Sequence, residues 1–416
     1  MQYLLFVFYF TLICLCIAKL NLVKQSGLGI KIIFTLFTLK VLVGVVGALV
    51  SYYVFNGFTD MNYTHQQGLI ETKNLMTNPK LFFTDSLPRA YGYNFSNFFS
   101  SENSFWNDLR NNIILKLLGI LNIFSRGSFY INILFFNGLG FIGSLALFNI
   151  YKHIYNGKNM AVIIGCFLLP SCLYFTSIIG KDVMIFTALS CFFYALYFAL
   201  NNQFTLNKIL CIAFTFLYIL LTRSYVAIIL LPIALIWFIQ VKFNYGLKKI
   251  AIGISLLLFT FCGVGYLFGY SAKLLNIVVF KQQEFFKLEV AKSQYINDTL
   301  QANLPSFIAA SPKVVRHAFL SPLPMEFNNI YLNAFAAEMF LYFTLLMFAI
   351  FWAKQEKNKI SFFELYSIIF SCAVLFCIGY IVTNAGALIR YRSIYLPFLI
   401  TPILCRLNIV PFKKRH

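Results

Sequence analysis

Charge is what this chain lacks most. Only 11% of its 416 residues are Asp, Glu, Lys or Arg, while 60% are hydrophobic. So few charged groups cannot cover the surface of a globule this large, which excludes a soluble fold. Cysteine is missing from every loop. All ten (Cys14, Cys16, Cys166, Cys172, Cys191, Cys211, Cys262, Cys372, Cys377, Cys405) lie inside apolar runs, so neither a disulfide framework nor metal-ligand spacing is present. Cys372 and Cys377 read as small core residues rather than ligands. No strand-like alternation competes with the helical reading of those runs. The first run has no basic leader and no small-residue cleavage site, and Lys19 and Lys24 follow it, so it reads as a span and not as a cleavable signal. No internal repeat or long linker divides the chain. One membrane domain over residues 1–416 is the economical description.

What is present is apolar length. Runs of the size that crosses about 30 Å of hydrocarbon as helix recur from end to end. Eleven spans are expected, at 2–18, 30–55, 128–149, 160–178, 182–200, 207–222, 224–241, 249–269, 330–352, 361–382 and 391–408. The fold class is therefore all-α, a polytopic membrane helix bundle. Backbone groups in lipid must be satisfied internally, and a helix does so by itself. Only Thr222-Arg223-Ser224 separates the sixth and seventh runs, so one long bent segment is the alternative there. Two outer loops, 56–127 and 270–329, divide the two N-terminal spans (1–55), the middle spans (128–269) and the last three with their tail (330–416).

The charges test this layout. With the N-terminus outside, sixteen basic residues fall on the cytoplasmic side: Lys19, Lys24, Lys31, Lys152, Lys158, Lys208, Lys242, Lys248, Lys249, Lys354, Lys357, Lys359, Arg406, Lys413, Lys414 and Arg415. Only two acidic residues, Glu356 and Glu364, join them, and the C-terminus is cytoplasmic. The net charge of +20 is thus a topology signal with some affinity for anionic lipid, and it calls for no nucleic acid. The aromatic residues read as core and lipid-facing filler. Lys40, inside the second span, is expected to snorkel to the inner edge.

The first outer loop opens with Phe58-Thr59-Asp60-Met61-Asn62-Tyr63-Thr64-His65, at the point where a span hands the chain to water. A helical piece over Tyr63–Met76 is expected next, then turns around Pro79 and Pro88. An interfacial amphipathic helix over Trp106–Phe124 follows, with Ile113, Leu117, Ile120, Leu121 and Phe124 on one face. Asn62, Asn94 and Asn297 match glycosylation sequons, a pattern that recurs by chance.

Ionisable residues gather at the same predicted face: Asp60, the pair Lys181-Asp182, Arg223, and Arg390 and Arg392 flanking Tyr391. Cations beside a carboxylate suit an anionic, phosphate-bearing substrate, because Arg forks onto phosphate and Lys acts as a point charge. The N-terminal end of the last span would add backbone N–H groups to such a site. Blander roles stand beside this one. Asp60 suits a helix cap before Met61, Arg223 a snorkelling anchor, and Lys181-Asp182 a local ion pair. His65 and His317 suit solvated loop positions.

These stretches resemble the GT-C-type integral membrane glycosyltransferases, especially the bacterial relatives of protein mannosyltransferases and of arabinose- or galacturonate-transferring enzymes. The likeness rests on Asp60-x-x-Tyr63 after a span, followed by two interfacial helices. It also rests on Leu169-Pro170-Ser171 with Thr176-Ser177 and Lys181-Asp182, on Leu220-Leu221-Thr222-Arg223-Ser224-Tyr225, and on Ile389-Arg390-Tyr391-Arg392 with Pro397. Where many members carry a second acidic residue, Met61 follows Asp60. The resemblance implies a multi-pass protein of a bacterial inner membrane that transfers sugar from a polyprenyl-phosphate carrier to a glycan, lipid or protein acceptor. It makes Asp60 the general base, or the ligand of a divalent cation. It makes Arg390, Arg392, Arg223 and Lys181 the donor-phosphate contacts, with Tyr63, His65, Asp182 and Tyr391 in support. Two other readings remain open. In an O-antigen or exopolysaccharide polymerase or ligase, Arg316 and His317 would be central. A transporter or flippase of lipid-linked glycans would place its sites at mid-membrane, in broken helices.

Overall fold

The structure, a computed structural model, describes residues 2–84, 105–246, 270–287, 293–295, 299–351 and 360–407. The expected span 249–269, Pro88, Asn94, Asn297, Cys262, Glu356, Lys248, Lys249, Lys354, Lys357, Lys359, Lys413, Lys414 and Arg415 lie outside them. The described residues are helical, without strands. In chain order the helices are α1 (Gln2–Lys19), α2 (Asn21–Ser26), α3 (Ile30–Tyr53), α4 (Asp60–Thr77), α5 (Pro79–Thr84), α6 (Phe105–Ser125), α7 (Phe129–Ile154), α8 (Asn159–Phe167) and α9 (Pro170–Phe175). There follow α10 (Lys181–Asn201), α11 (Leu206–Thr222), α12 (Ser224–Phe243), α13 (Tyr270–Lys287), α14 (Leu304–Phe319), α15 (Ile330–Phe351), α16 (Phe362–Ile381), α17 (Ala385–Ser393) and α18 (Leu396–Arg406).

Seven of these, α1, α3, α7, α10, α12, α15 and α16, are long and apolar enough to cross a membrane, as expected of a multi-pass helical protein. The count of eleven is not confirmed: the expected span 249–269 lies outside the described residues, and three other runs differ for local reasons. The run 160–178 is broken: α8 stops at Phe167, Leu169 is extended, and Pro170 opens the six-residue α9. A residue before proline avoids the helical region, so the break is written in Leu169-Pro170. The run 207–222 folds as the 17-residue α11, and Arg223 separates it from α12, so this pair is two helices. The last run, 391–408, is a pair, α17 and α18, bent by 62°.

The chain divides into two compact units, Met1–Ala227 and Ile228–His416. In the first, α7 is the hub. It is apolar all round and has α1, α2, α3, α6, α8 and α10 packed against it. Gly143 lets α10 approach closely, since a Cβ there would stand 2.8 Å from the Thr187 Cα. At one end of this unit Lys152 donates to the Ser26 carbonyl at 2.6 Å and Asn149 to the Leu22 carbonyl at 2.9 Å, while the Tyr194 hydroxyl bonds Gln25. The segments that the charge pattern groups together therefore do meet. Helix α1 stays on the outside, with Tyr3, Leu4, Val7 and Phe8 exposed.

At the other end of α7, α4 packs on α6. Helix α4 begins three residues before the expected Tyr63, and the turn-rich stretch around Pro79 contains the short α5. Ile114, Leu118 and Asn122 face inward, whereas Ile120 and Phe124 are exposed and Ile113, Leu117 and Leu121 half-buried. The expected apolar face of α6 is thus split: Leu117 and Leu121 pack against the core with Ile114 and Leu118, while Ile120 and Phe124 stay outside. Gly68 sets the register, because a Cβ there would press on the Leu118 Cβ at 2.8 Å.

In the second unit α16 is central. Ser361 and Glu364 close a capping box at its start, and Arg406 of α18 pairs with Glu364 at 3.1 Å. The start of α16 and the end of α18 therefore lie side by side. Tyr366 donates to Gln240 at 2.6 Å, and Tyr380 donates to the Phe307 carbonyl at 2.8 Å, tying α12 and α14 to α16.

Candidate functional site

The loop from α3 to α4 is short and fixed. Asn56 and Gly57 take positive φ angles of 48° and 78°, a conformation glycine adopts without strain. Gly57 N–H donates to the Ser51 carbonyl at 2.9 Å, and Asn62 Nδ2 donates to the Gly57 carbonyl at 3.2 Å. That bond holds the sequon amide of Asn62 within the protein. The helix cap is Thr59, whose hydroxyl accepts from Asn62 N–H. Asp60 is therefore not the cap. It is the first residue of α4, exposed, where a carboxylate complements the helix dipole.

Asp60 lines an open pocket of about 900 Å³. The C-terminal end of α3 gives Tyr52 and Tyr53, the loop gives Asn56 and Phe58, α4 gives Asn62, Tyr63, His65 and Gln66, and α7 gives Phe129 and Tyr130. Asp60, Tyr63 and His65, chosen from the sequence, thus share one cavity wall. The aromatic side chains from α3 and α7 were missed, having been read as filler. The readable signal was the density of Tyr and Phe between Tyr52 and Tyr63, immediately after an apolar run.

His65 is not a solvated loop residue. It is buried, its ring meets Phe129 edge to face at 4.9 Å, and its Nδ1 lies 3.4 Å from the Asn132 amide nitrogen. Asn132 in turn donates to Asn122 at 2.6 Å. Burial holds the His65 pKa below the ordinary imidazole value, against an opposing backbone hydrogen bond to Gly127. Its ring therefore ties α4 to α7 in the neutral form.

Asp60 is the one carboxylate among the described lining residues, and no group of three or more His, Cys, Asp or Glu side chains gathers among the described residues. A hard divalent cation takes most of its ligands from oxygen. These residues alone form no all-protein cage for such a cation.

A second polar layer lies inside the first unit. Gly44 and Asn137 sit about 13 and 12 Å along α3 and α7 from the pocket end, at ~1.5 Å per residue. There Asn137 Nδ2 donates to the Ser177 carbonyl at 2.8 Å, in the break between α9 and α10. Lys40 does not snorkel. It is 3% exposed and donates to the Thr176 hydroxyl at 2.7 Å and the Ser177 hydroxyl at 3.4 Å. Gly140 keeps space for it, since a Cβ there would stand 2.9 Å from Lys40 Cε. Arg223 is no surface anchor either. It is buried and ion-paired with Asp182, and Lys181 donates to Asn111.

The remaining candidates belong to the second unit. Arg390 and Arg392 lie in the last turn of α17 and open no helix, and the N-terminus of α17 is capped by Asn384, whose side chain accepts from Gly386 and Ala387 N–H. The expected last span, 391–408, begins instead inside α17, and α18 starts at Leu396. Arg392 is 1% exposed and donates to the Ser321 carbonyl at 2.6 Å, a fixed internal contact. Arg390 and Tyr391 are half-buried. His317 is buried with Tyr295 stacked on it at 4.5 Å, and burial together with Arg316 pulls its pKa down. Arg316 pairs with Glu326 at 3.1 Å.

Compared with known protein families, curated proteins and solved structures, the chain matches none.

Proposed function

We propose that this chain is a membrane glycosyltransferase of the GT-C type, moving a sugar from a polyprenyl-phosphate carrier to a glycan, lipid or protein acceptor at the outer face of a bacterial inner membrane. One observation carries the reading. An exposed carboxylate, Asp60, opens a helix on the wall of a large aromatic pocket, at the end of the first unit away from its basic turns. Asp60 takes the proton of the acceptor hydroxyl. The freed oxygen electron pair attacks the anomeric carbon, and the carbon–oxygen bond to the carrier breaks with its electrons leaving on the phosphate. The resemblance gives that phosphate to guanidinium groups. Of these, Arg223 is ion-paired with Asp182 and Arg392 donates to the Ser321 carbonyl. Asp60→Asn keeps the shape and removes the base. A fall of about 10²-fold or more in transfer is expected, with unchanged membrane insertion and thermal midpoint. Retained transfer would remove Asp60 from the mechanism. In the same assay His317→Ala tests the polymerase reading, and its expected signature is loss of stability with transfer per folded molecule retained.

The transporter reading has one observation in its favour. The break between α8 and α10, with Lys40, Thr176 and Ser177 beneath the pocket end, is the kind of interrupted helix that transporters use. Lys40→Met separates the two readings, since transfer at Asp60 does not use that amine and transport through the break would.

A further inference from the structure

The pocket at Asp60 also says what kind of molecule occupies it. Resting on the transferase reading, we propose that it is the acceptor subsite, and that the acceptor presents an uncharged carbohydrate ring to it. Six aromatic side chains, Tyr52, Tyr53, Phe58, Tyr63, Phe129 and Tyr130, converge from α3, the loop, α4 and α7. An aromatic face is negative and attracts the weakly positive C–H face of a sugar ring, whereas it offers nothing to a phosphate. The polar groups among them are the amides of Asn56 and Gln66 and the Asp60 carboxylate, beside Asn62, Thr59 and His65, which also hold bonds within the protein. Amides donate and accept at once, which matches hydroxyl groups that do the same. No lysine or arginine is among the described lining residues, so the cations that a carrier phosphate needs are not supplied by this wall. The volume, about 900 Å³, falls within the usual range for small-molecule sites.

Tyrosines at this level of a membrane protein also form interfacial belts. A belt spreads around the circumference facing lipid. Here the rings line one cavity, and Tyr63 stands one turn from Asp60 on the same helix face. Tyr63 would therefore hold the sugar ring against which Asp60 works, with Tyr53 on the α3 side.

The test uses the full-length protein in nanodiscs and saturation-transfer NMR with four small probes: methyl glucoside, glucosamine, glucuronate and glycerol 3-phosphate. Methyl glucoside is expected to bind in the millimolar range and glucuronate and glycerol phosphate to bind at least several-fold more weakly. Tyr53→Ala with Tyr63→Ala should weaken methyl glucoside about tenfold, about 1.4 kcal/mol. Asp60→Asn should leave methyl glucoside within about threefold and improve glucuronate, because a carboxylate no longer faces it. Equal binding of all four probes, no methyl glucoside signal, or tyrosine variants that bind as the parent would each overturn the proposal. Its failure is distinct from that of the transferase reading. Sugar binding that survives while Asp60→Asn still transfers would overturn the mechanism and leave the subsite. Loss of transfer in Asp60→Asn without any sugar signal would do the reverse.

Discussion

Lys40→Met is the substitution whose outcome follows most directly from the packing. The amine is buried in the first unit and makes two hydrogen bonds, one of good length at 2.7 Å and one long at 3.4 Å. A hydrogen bond from a charged donor returns about 1.5–3 kcal/mol, while taking an ion out of water costs several. The acceptors lose little when the amine goes. Thr176 still donates to the Cys172 carbonyl at 2.7 Å, and Ser177 to the Leu173 carbonyl at 2.6 Å, so no buried donor is orphaned. Methionine fills nearly the same space past Gly140. The expected change is therefore between about 0 and 2 kcal/mol of stabilisation. Lys40→Ala should lose about 2–4 kcal/mol, because it removes the same amine and also empties that space. Thermal midpoints of detergent-purified variants, taken at one scan rate, give the order Met at or above parent, Ala below. A Met variant that loses more than about 1 kcal/mol would refute the reasoning and mean that the amine holds the α9–α10 break together. A Met variant that is stable but inactive would give Lys40 a role in the activity itself, which a merely structural amine lacks.

Two further outcomes follow from the same unit. Asp182→Ala and Arg223→Ala should each cost about 3–5 kcal/mol, since each strands a buried charge, while Asp182→Ala with Arg223→Met should cost clearly less than the sum; additive losses in a double-mutant cycle would show that the pair is not coupled. Stability should also fall on acidification below pH ~6.5, because an imidazole whose folded pKa is depressed binds more protons when unfolded. His65→Gln should flatten part of that dependence in thermal midpoints measured from pH 8 to pH 5, and an unchanged slope would place the titrating group elsewhere.

What the sequence displayed and what it concealed divide along one physical line. Properties summed along the chain were legible. Apolar length marked the seven helices long and apolar enough to cross a membrane, within an expectation of eleven, and Glu364 and Arg406, grouped by loop charge, form an ion pair. Properties decided by a distant partner were not. Lys40 reads as a snorkelling residue until Thr176, 136 positions later, is brought beside it, and Arg223 reads as an anchor until Asp182 meets it across 41 positions. The α8–α9 break lay between these cases. Leu169-Pro170 announced it locally, but mean apolarity over 160–178 hid it.

The same division bears on the site. Asp60, Tyr63 and His65 could be chosen because they lie within one stretch, yet His65 turned inward to Asn132 while Asp60 and its aromatic walls stayed open. The part of the wall from the end of α3 to the start of α4 lies within the window Tyr52–Tyr63, whereas the part from the start of α7 has no signature there. The wall's residues are ordinary interfacial aromatics one at a time, and only their convergence on one carboxylate makes a recognition surface. The pocket is therefore in part a tertiary property, and substitutions at the end of α3 or the start of α7 reshape its walls while leaving Asp60 in place.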